Sequence, residues 1–126
     1  TRRAPTETER ADLLFGWKVL KHVRSNGVLF ARDRRTVGVG SGQCSRIDSV
    51  EAAIRKAARE GIELRGAVMV SDAFFPFRDS VDRAHAAGVT AVLQPGGSVR
   101  DEESIQACDE HGMAMAVNGA RVFSHG

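Results

Sequence analysis

The chain has 126 residues, 42% of them apolar, with 18 basic residues against 16 acidic ones and a formal net charge of +2. This is enough for a single domain, residues 1–126, around one core, and the scattered basic residues form no stripe that would track a nucleic acid. No run approaches the roughly 18 apolar residues of a membrane span, the N-terminus lacks the apolar core of a signal peptide, and Cys44 and Cys108 lie outside any Cys-x-x-Cys context, which points to a reducing, cytoplasmic setting without a disulfide scaffold or structural zinc.

The opening Thr1-Arg-Arg-Ala-Pro-Thr6 has no initiator Met and reads as a linker entering a helix, as in a segment of something longer. Thr6-Glu7-Thr8-Glu9 fits a capping box, and the spacing predicts an amphipathic helix to about Val23, with Leu13, Leu14, Trp17, Leu20 and Val23 on its apolar half. Gly27-Val-Leu-Phe-Ala31 and Thr36-Val-Gly-Val-Gly40 read as a hairpin turned by Asp33-Arg-Arg35. A helix capped by Asp48 or Ser49 buries Val50, Ala53, Ile54 and Ala57 and closes at Gly61. Next come a strand at Ala67-Val-Met-Val70, a helix from about Asp79 to Ala87 closed by Gly88, and a strand at Val89-Thr-Ala-Val-Leu93. A fourth helix spans Asp101 to His111, and Met113-Ala-Met-Ala-Val117 is the last strand. After the hairpin, strands and helices alternate, which calls for an α/β fold of three layers, α-β-α, with a central mixed sheet.

Three loops that follow strands are specific in composition. Gly-Ser-Gly-Gln-Cys-Ser-Arg46 has the small residues and exposed amides of a phosphate cradle, or it is simply a turn. It is neither a Walker loop nor G-x-G-x-x-G. Ser71-Asp-Ala-Phe-Phe-Pro-Phe77 holds half of the phenylalanines, as a wall for a flat heterocycle or as a hydrophobic plug under a loop. Gln94-Pro-Gly-Gly-Ser98 is the third. In one doubly wound sheet such loops converge along one edge, where ligands bind.

The histidines carry less. Lys21 and His22 close a helix, where the dipole alone favours cations, and they are disfavoured as a catalytic pair. His85 reads as solvated and His111 as a helix-end residue, while His125 lies in the tail. No His-x-Glu with Cys-x-x-Cys suggests zinc deamination, and no nucleophile elbow suggests a hydrolase.

Five stretches together carry a resemblance. They are Trp17-Lys-Val-Leu-Lys-His-Val-Arg-Ser-Asn26, Thr36-Val-Gly-Val-Gly-Ser-Gly-Gln-Cys-Ser-Arg-Ile47, Ser71-Asp-Ala-Phe-Phe-Pro-Phe-Arg-Asp79, Gln94-Pro-Gly-Gly-Ser-Val-Arg-Asp-Glu102 and Ala120-Arg-Val-Phe123. In order and spacing the chain resembles the C-terminal end of the bifunctional purine-biosynthesis family, phosphoribosylaminoimidazolecarboxamide formyltransferase / IMP cyclohydrolase. The resemblance implies a cytidine-deaminase-like domain without zinc, the second of a tandem pair. It implies formyl transfer from 10-formyltetrahydrofolate, as cosubstrate, to 5-aminoimidazole-4-carboxamide ribonucleotide, in a dimer with sites at the subunit interface. The cyclohydrolase domain is expected outside this chain.

Matched motif by motif, the resemblance places Asn26, Arg46, Phe74, Arg121 and Phe123 on the nucleotide, and Ile47, Pro76, Asp79, Ser98 and Val99 along the folate. The family's catalytic Lys-His pair belongs to the preceding tandem domain, and Lys21-His22 is its counterpart here rather than the pair itself. The expectation is therefore half of a transformylase site, inactive alone. The alternatives are a non-catalytic nucleotide- or folate-binding module, or a dimerisation module whose apolar patch is Trp17 with residues 74–77.

Overall fold

The computed structural model describes residues 1–96 and 101–117. Helix α1 (Glu7–Leu20) starts at the expected capping box: Thr6 Oγ1 accepts from the Glu9 amide at 3.1 Å, and Glu9 Oε1 accepts from the Thr6 amide at 2.9 Å. Two of the amides a helix start leaves open are thereby satisfied. The helix stops before Val23. The amides of His22 and Val23 donate three residues back, to Val19 and Leu20, and this tighter winding turns the chain toward the sheet. The buried stripe also differs from the apolar pattern. Glu9, Asp12, Leu13, Gly16 and Leu20 face inward, whereas Leu14 and Trp17 are half-buried. Gly16 marks the closest approach to the sheet, since a Cβ there would lie 2.7 Å from Val70 Cγ2.

Strands β1 (Val28–Arg32) and β2 (Arg35–Gly40) form the expected antiparallel hairpin, Val28 opposite Gly40. Asp33 and Arg34 make its turn with φ of 53° and 55°, the left-handed pair that matches strand twist. Buried Asp12 of α1 accepts from both turn amides, at 3.3 and 2.8 Å. Helix α2 (Arg46–Arg59) begins earlier than a cap at Asp48 or Ser49 would allow. Its cap is Ser45, the last extended residue, whose hydroxyl accepts from the Asp48 amide at 3.3 Å. Ser49 lies inside the helix and donates its hydroxyl to the Asn26 carbonyl at 2.7 Å.

The remaining elements are β3 (Val68–Ser71), α3 (Asp79–Ala87), β4 (Ala91–Gln94), α4 (Asp101–His111) and β5 (Ala114–Val117). All five strands shift from the expected bounds by one or two residues at one or both ends, while α3 and α4 fall where expected. Gly88, at φ 106°, caps α3 in the left-handed conformation that glycine adopts without strain. The sheet order is β2-β1-β3-β4-β5. The pairs β2/β1 and β1/β3 are antiparallel, and β3/β4 and β4/β5 are parallel.

Helix α1 packs on one face, over Leu29, Val68, Val70, Ala91 and Leu93. Helices α2, α3 and α4 cover the other, over Val28, Phe30, Met69, Val92 and Met115. The inner strands are buried on both faces, as their continuous apolar runs require. The fold is the expected three-layer α-β-α arrangement with a mixed sheet. Because β1 runs against its neighbours, its start shares one edge with the ends of β2, β3 and β4.

Candidate functional site at the strand ends

At that shared edge, residues 25–27, 41–46 and 72–78 meet. The ladder between β1 and β3 continues one step past its last strand pair, as the Asp72 amide donates to the Gly27 carbonyl at 3.1 Å. The Ser25–Asn26 peptide is cis. Asn26 is held at both ends of its amide: Nδ2 donates to the Gln43 carbonyl at 2.9 Å, and Oδ1 accepts from Arg46 Nη2 at 2.9 Å. The 41–46 loop is drawn in by this bond and by the Gly42 amide, which donates to the Arg24 carbonyl at 3.2 Å.

Arg46 is the first residue of α2 and its side chain is only 6% exposed. Nη1 donates to the Gly27 carbonyl at 3.1 Å and to Asp72 Oδ1 at 2.6 Å, while Nε is buried without a partner. Burying a guanidinium is costly unless a counter-charge and hydrogen bonds compensate it. Asp72 provides that charge, and Oδ2 of the same carboxylate accepts from Ser25 Oγ at 2.7 Å and the Gly27 amide at 2.9 Å. A cleft of about 80 Å³ opens beside Asp72, between Trp17, Leu20 and Lys21. Lys21 and His22 are exposed at the end of α1.

The aromatic loop divides its labour. Ser71 Oγ donates to the Ala73 carbonyl at 2.7 Å and shapes the turn. Phe75 is fully buried in the core on the three-helix side, and Phe74 and Phe77 are 43% and 51% exposed. The plug and the wall are thus both present, in different residues. Pro76 is half-buried and Asp79 exposed at the start of α3, its Oδ1 accepting from the Ser80 amide at 2.8 Å. Ile47 is half-buried against the core beneath α2. Asn26, Arg46, Ile47, Phe74, Pro76 and Asp79 therefore all lie on segments at one sheet edge. Ser98, Val99, Arg121, Phe123 and His125 lie outside the described residues.

Larger hollows lie elsewhere. One of about 390 Å³ is lined by Arg2, Glu102, Ile105, Gln106, Asp109 and Glu110, and another of about 290 Å³ lies between the start of α1 and the hairpin turn. Neither has an aromatic wall, and neither is lined by residues 25–27, 41–46 or 72–78. Two histidines sit away from the cluster: His85 and His111 stack at 4.0 Å, and His111 Nε2 lies 2.8 Å from Asp82 Oδ1. Both cysteines are free, and burial pushes the Cys108 thiol up to about 12. Among the described residues, no three His, Cys, Asp or Glu side chains are grouped to hold a metal ion.

Sequence reasoning did not single out Asp72, Ser25, Asp12 or Gly16. Asp72 stood in the quoted aromatic motif, and its place as the first charged residue after a buried strand was the available signal.

Known proteins resemble this chain in two ways. A family model described as AICARFT/IMPCHase bienzyme matches residues 1–56. Over 125 residues the chain is 56% identical to the bifunctional purine biosynthesis protein PurH of Aquifex aeolicus, a match covering 99% of this chain and 25% of that protein. It is 55% identical to the PurH of Persephonella marina, covering 99% and 24%. The chain thus spans about a quarter of the length of these curated relatives.

Among solved structures, a diaminohydroxyphosphoribosylaminopyrimidine deaminase/reductase from Thermotoga maritima superposes with a TM-score of 0.59 at 17% identity, covering 91% of this chain and 36% of that one. The dCMP deaminase of cyanophage S-TIM5, in its apo form, gives 0.58 at 14% identity, covering 86% and 95%. At such identities the likeness shows the fold, and the fold is deaminase-like, as the resemblance implied.

Proposed function

We propose that this chain supplies half of a formyltransferase site in purine biosynthesis. The observation that carries the reading is the meeting of Asn26, Arg46 and the exposed Phe74 at one sheet edge, in a chain 56% identical to part of a PurH protein. The nucleotide is 5-aminoimidazole-4-carboxamide ribonucleotide, and the cosubstrate is 10-formyltetrahydrofolate. The 5-amino nitrogen bonds to the formyl carbon as the carbon's bond to N10 of the folate breaks; the proton the amine gives up is balanced by one taken up at N10, which leaves as tetrahydrofolate.

In this reading the chain's residues bind and orient. Phe74 stacks on the flat imidazole, Asn26 faces the carboxamide region, and Arg46, its side chain 6% exposed, holds Asn26 from within. Arg121 takes the phosphate with Phe123 packed nearby, and Ile47, Pro76, Asp79, Ser98 and Val99 lie along the folate. The proton-handling Lys-His pair comes from a tandem upstream domain, and the working unit is a cytoplasmic homodimer with its sites between subunits. Among the two activities of the matched bienzyme, this assigns the chain to the transferase. No zinc takes part.

Phe74→Ala tests the reading. Because Phe74 is 43% exposed, the substitution should leave thermal stability nearly unchanged, while loss of stacking weakens nucleotide affinity about 5- to 10-fold in a full-length polypeptide carrying this sequence. Unchanged affinity, measured by calorimetric titration of the ribonucleotide, would contradict it.

A further inference from the structure

Asp72 makes three hydrogen bonds in the strand-end cluster, as many as Arg46, yet it has no role in the reading above. It sits one residue beyond β3. One oxygen pairs with Arg46 Nη1 at 2.6 Å, and the other accepts from Ser25 Oγ at 2.7 Å and the Gly27 amide at 2.9 Å. A single carboxylate therefore ties the end of β3 to the start of β1 and to the first residue of α2.

The tie reaches the candidate ligand contacts at one remove. The guanidinium that Asp72 holds also donates to Asn26 Oδ1 at 2.9 Å. Arg46 leaves its Nε buried and unpaired, so its orientation is fixed by what its Nη atoms grip and not by satisfying every donor. Asp72 itself stays 19% exposed at its side chain and lines the cleft with Trp17, Leu20 and Lys21. It stands between solvent and the sealed arginine.

We propose that Asp72 is a positioning residue for nucleotide binding: its carboxylate locks Arg46 and residues 25–27 into one arrangement and thereby aims Asn26. This rests on the placement of the nucleotide at this site. A residue that acts by aim should affect nucleotide affinity and leave the folate side alone, because misplacing a binding group by about 1 Å costs on the order of 100-fold.

The test is steady-state formyl transfer by a full-length polypeptide carrying this sequence, with nucleotide and folate varied separately. Asp72→Asn removes the charge at nearly constant shape. The expected result is a nucleotide KM raised about 10- to 100-fold, with the folate KM within about twofold. A fall in kcat through loss of active protein, with the nucleotide KM unchanged, is the signature of a merely structural role and would overturn the proposal.

Should Asp72→Asn fail to fold, Ser25→Ala removes one of the three bonds to the carboxylate and keeps the ion pair. It should raise the nucleotide KM about 2- to 10-fold, and an unchanged value would again overturn the proposal. Arg46→Ala and Asn26→Ala separate the two layers of inference. If neither moves the nucleotide KM, the nucleotide does not bind here. If they move it while Asp72→Asn and Ser25→Ala do not, the site stands and the role of Asp72 falls.

Discussion

At the scale of residues, Gly40 shows how close contact decides identity. A Cβ on Gly40 would lie 1.9 Å from the Ser49 carbonyl oxygen, which is helix backbone and cannot swing aside. Gly38 is similar, with a Cβ position 3.1 Å from the Ala53 carbonyl oxygen. Gly40, which reads as the start of a phosphate cradle, therefore serves first to seat β2 against α2, as Gly38 does within the strand. Gly40→Ala is expected to destabilise the fold by about 2 kcal/mol or more, the scale of forced overpacking. A fall in the urea midpoint would register it, and an unchanged midpoint would mean that α2 does not pack this closely. The sequence pattern could not separate the two uses of glycine, because a ligand's approach and a helix's approach both demand a missing side chain.

At the scale of elements, the segment before α1 is a strap across the far edge of the sheet. Arg3 grips both Glu9 oxygens, at 2.7 and 3.0 Å, and donates to the carbonyls of Thr90 at 2.7 Å and Gly112 at 3.0 Å. It joins the first turn of α1 to the segments that lead into β4 and β5, and the Met115 amide donates to Thr1 Oγ1 at 3.1 Å. What reads as a linker is thus packed structure. Burial alone would raise the Glu9 carboxyl, but the Arg3 fork and the Thr6 amide outweigh it and bring the group down to about 2.

A carboxyl depressed from about 4.5 stabilises the fold above pH 4.5, and that contribution is lost as pH falls toward 2. Glu9→Gln should therefore cost on the order of 2 kcal/mol at pH 7, and the gap from the parent chain should close between pH 5 and pH 2. A gap independent of pH in denaturant titrations would contradict this. Helices α1, α3 and α4 were legible because each carries local signals: a capping box at one, and a closing Gly88 or Gly112 at the others. The end of α1 and the start of α2 were not. Val23 keeps its apolar contact after the helix winding has changed, and Ser45, Asp48 and Ser49 are all competent caps, so tertiary contacts chose between them.

At the scale of the whole molecule, strand direction turns separate loops into one site. Residues 26, 46 and 74 are distant in sequence, and only the antiparallel start of the sheet brings the beginning of β1 beside the ends of β2 and β3. The meeting of the loops after β2 and β3 was legible from the alternation of strands and helices, but the place of Asn26 before an antiparallel β1 was not. The charge network within it was not, since no periodicity reveals that Arg46 turns inward to Asp72 and Asn26. The chain matches about a quarter of the length of its PurH relatives. In the proposed reading this chain is the nucleotide- and folate-binding half of a split transferase site, without its own proton-handling pair. The decisive experiment is formyl transfer, with the ribonucleotide and 10-formyltetrahydrofolate, by this chain alone and mixed with the tandem upstream domain. Silence from the chain alone and activity in the mixture are expected. Activity of the chain alone, which would make Lys21 and His22 the catalytic pair, or silence of a folded mixture would contradict the reading.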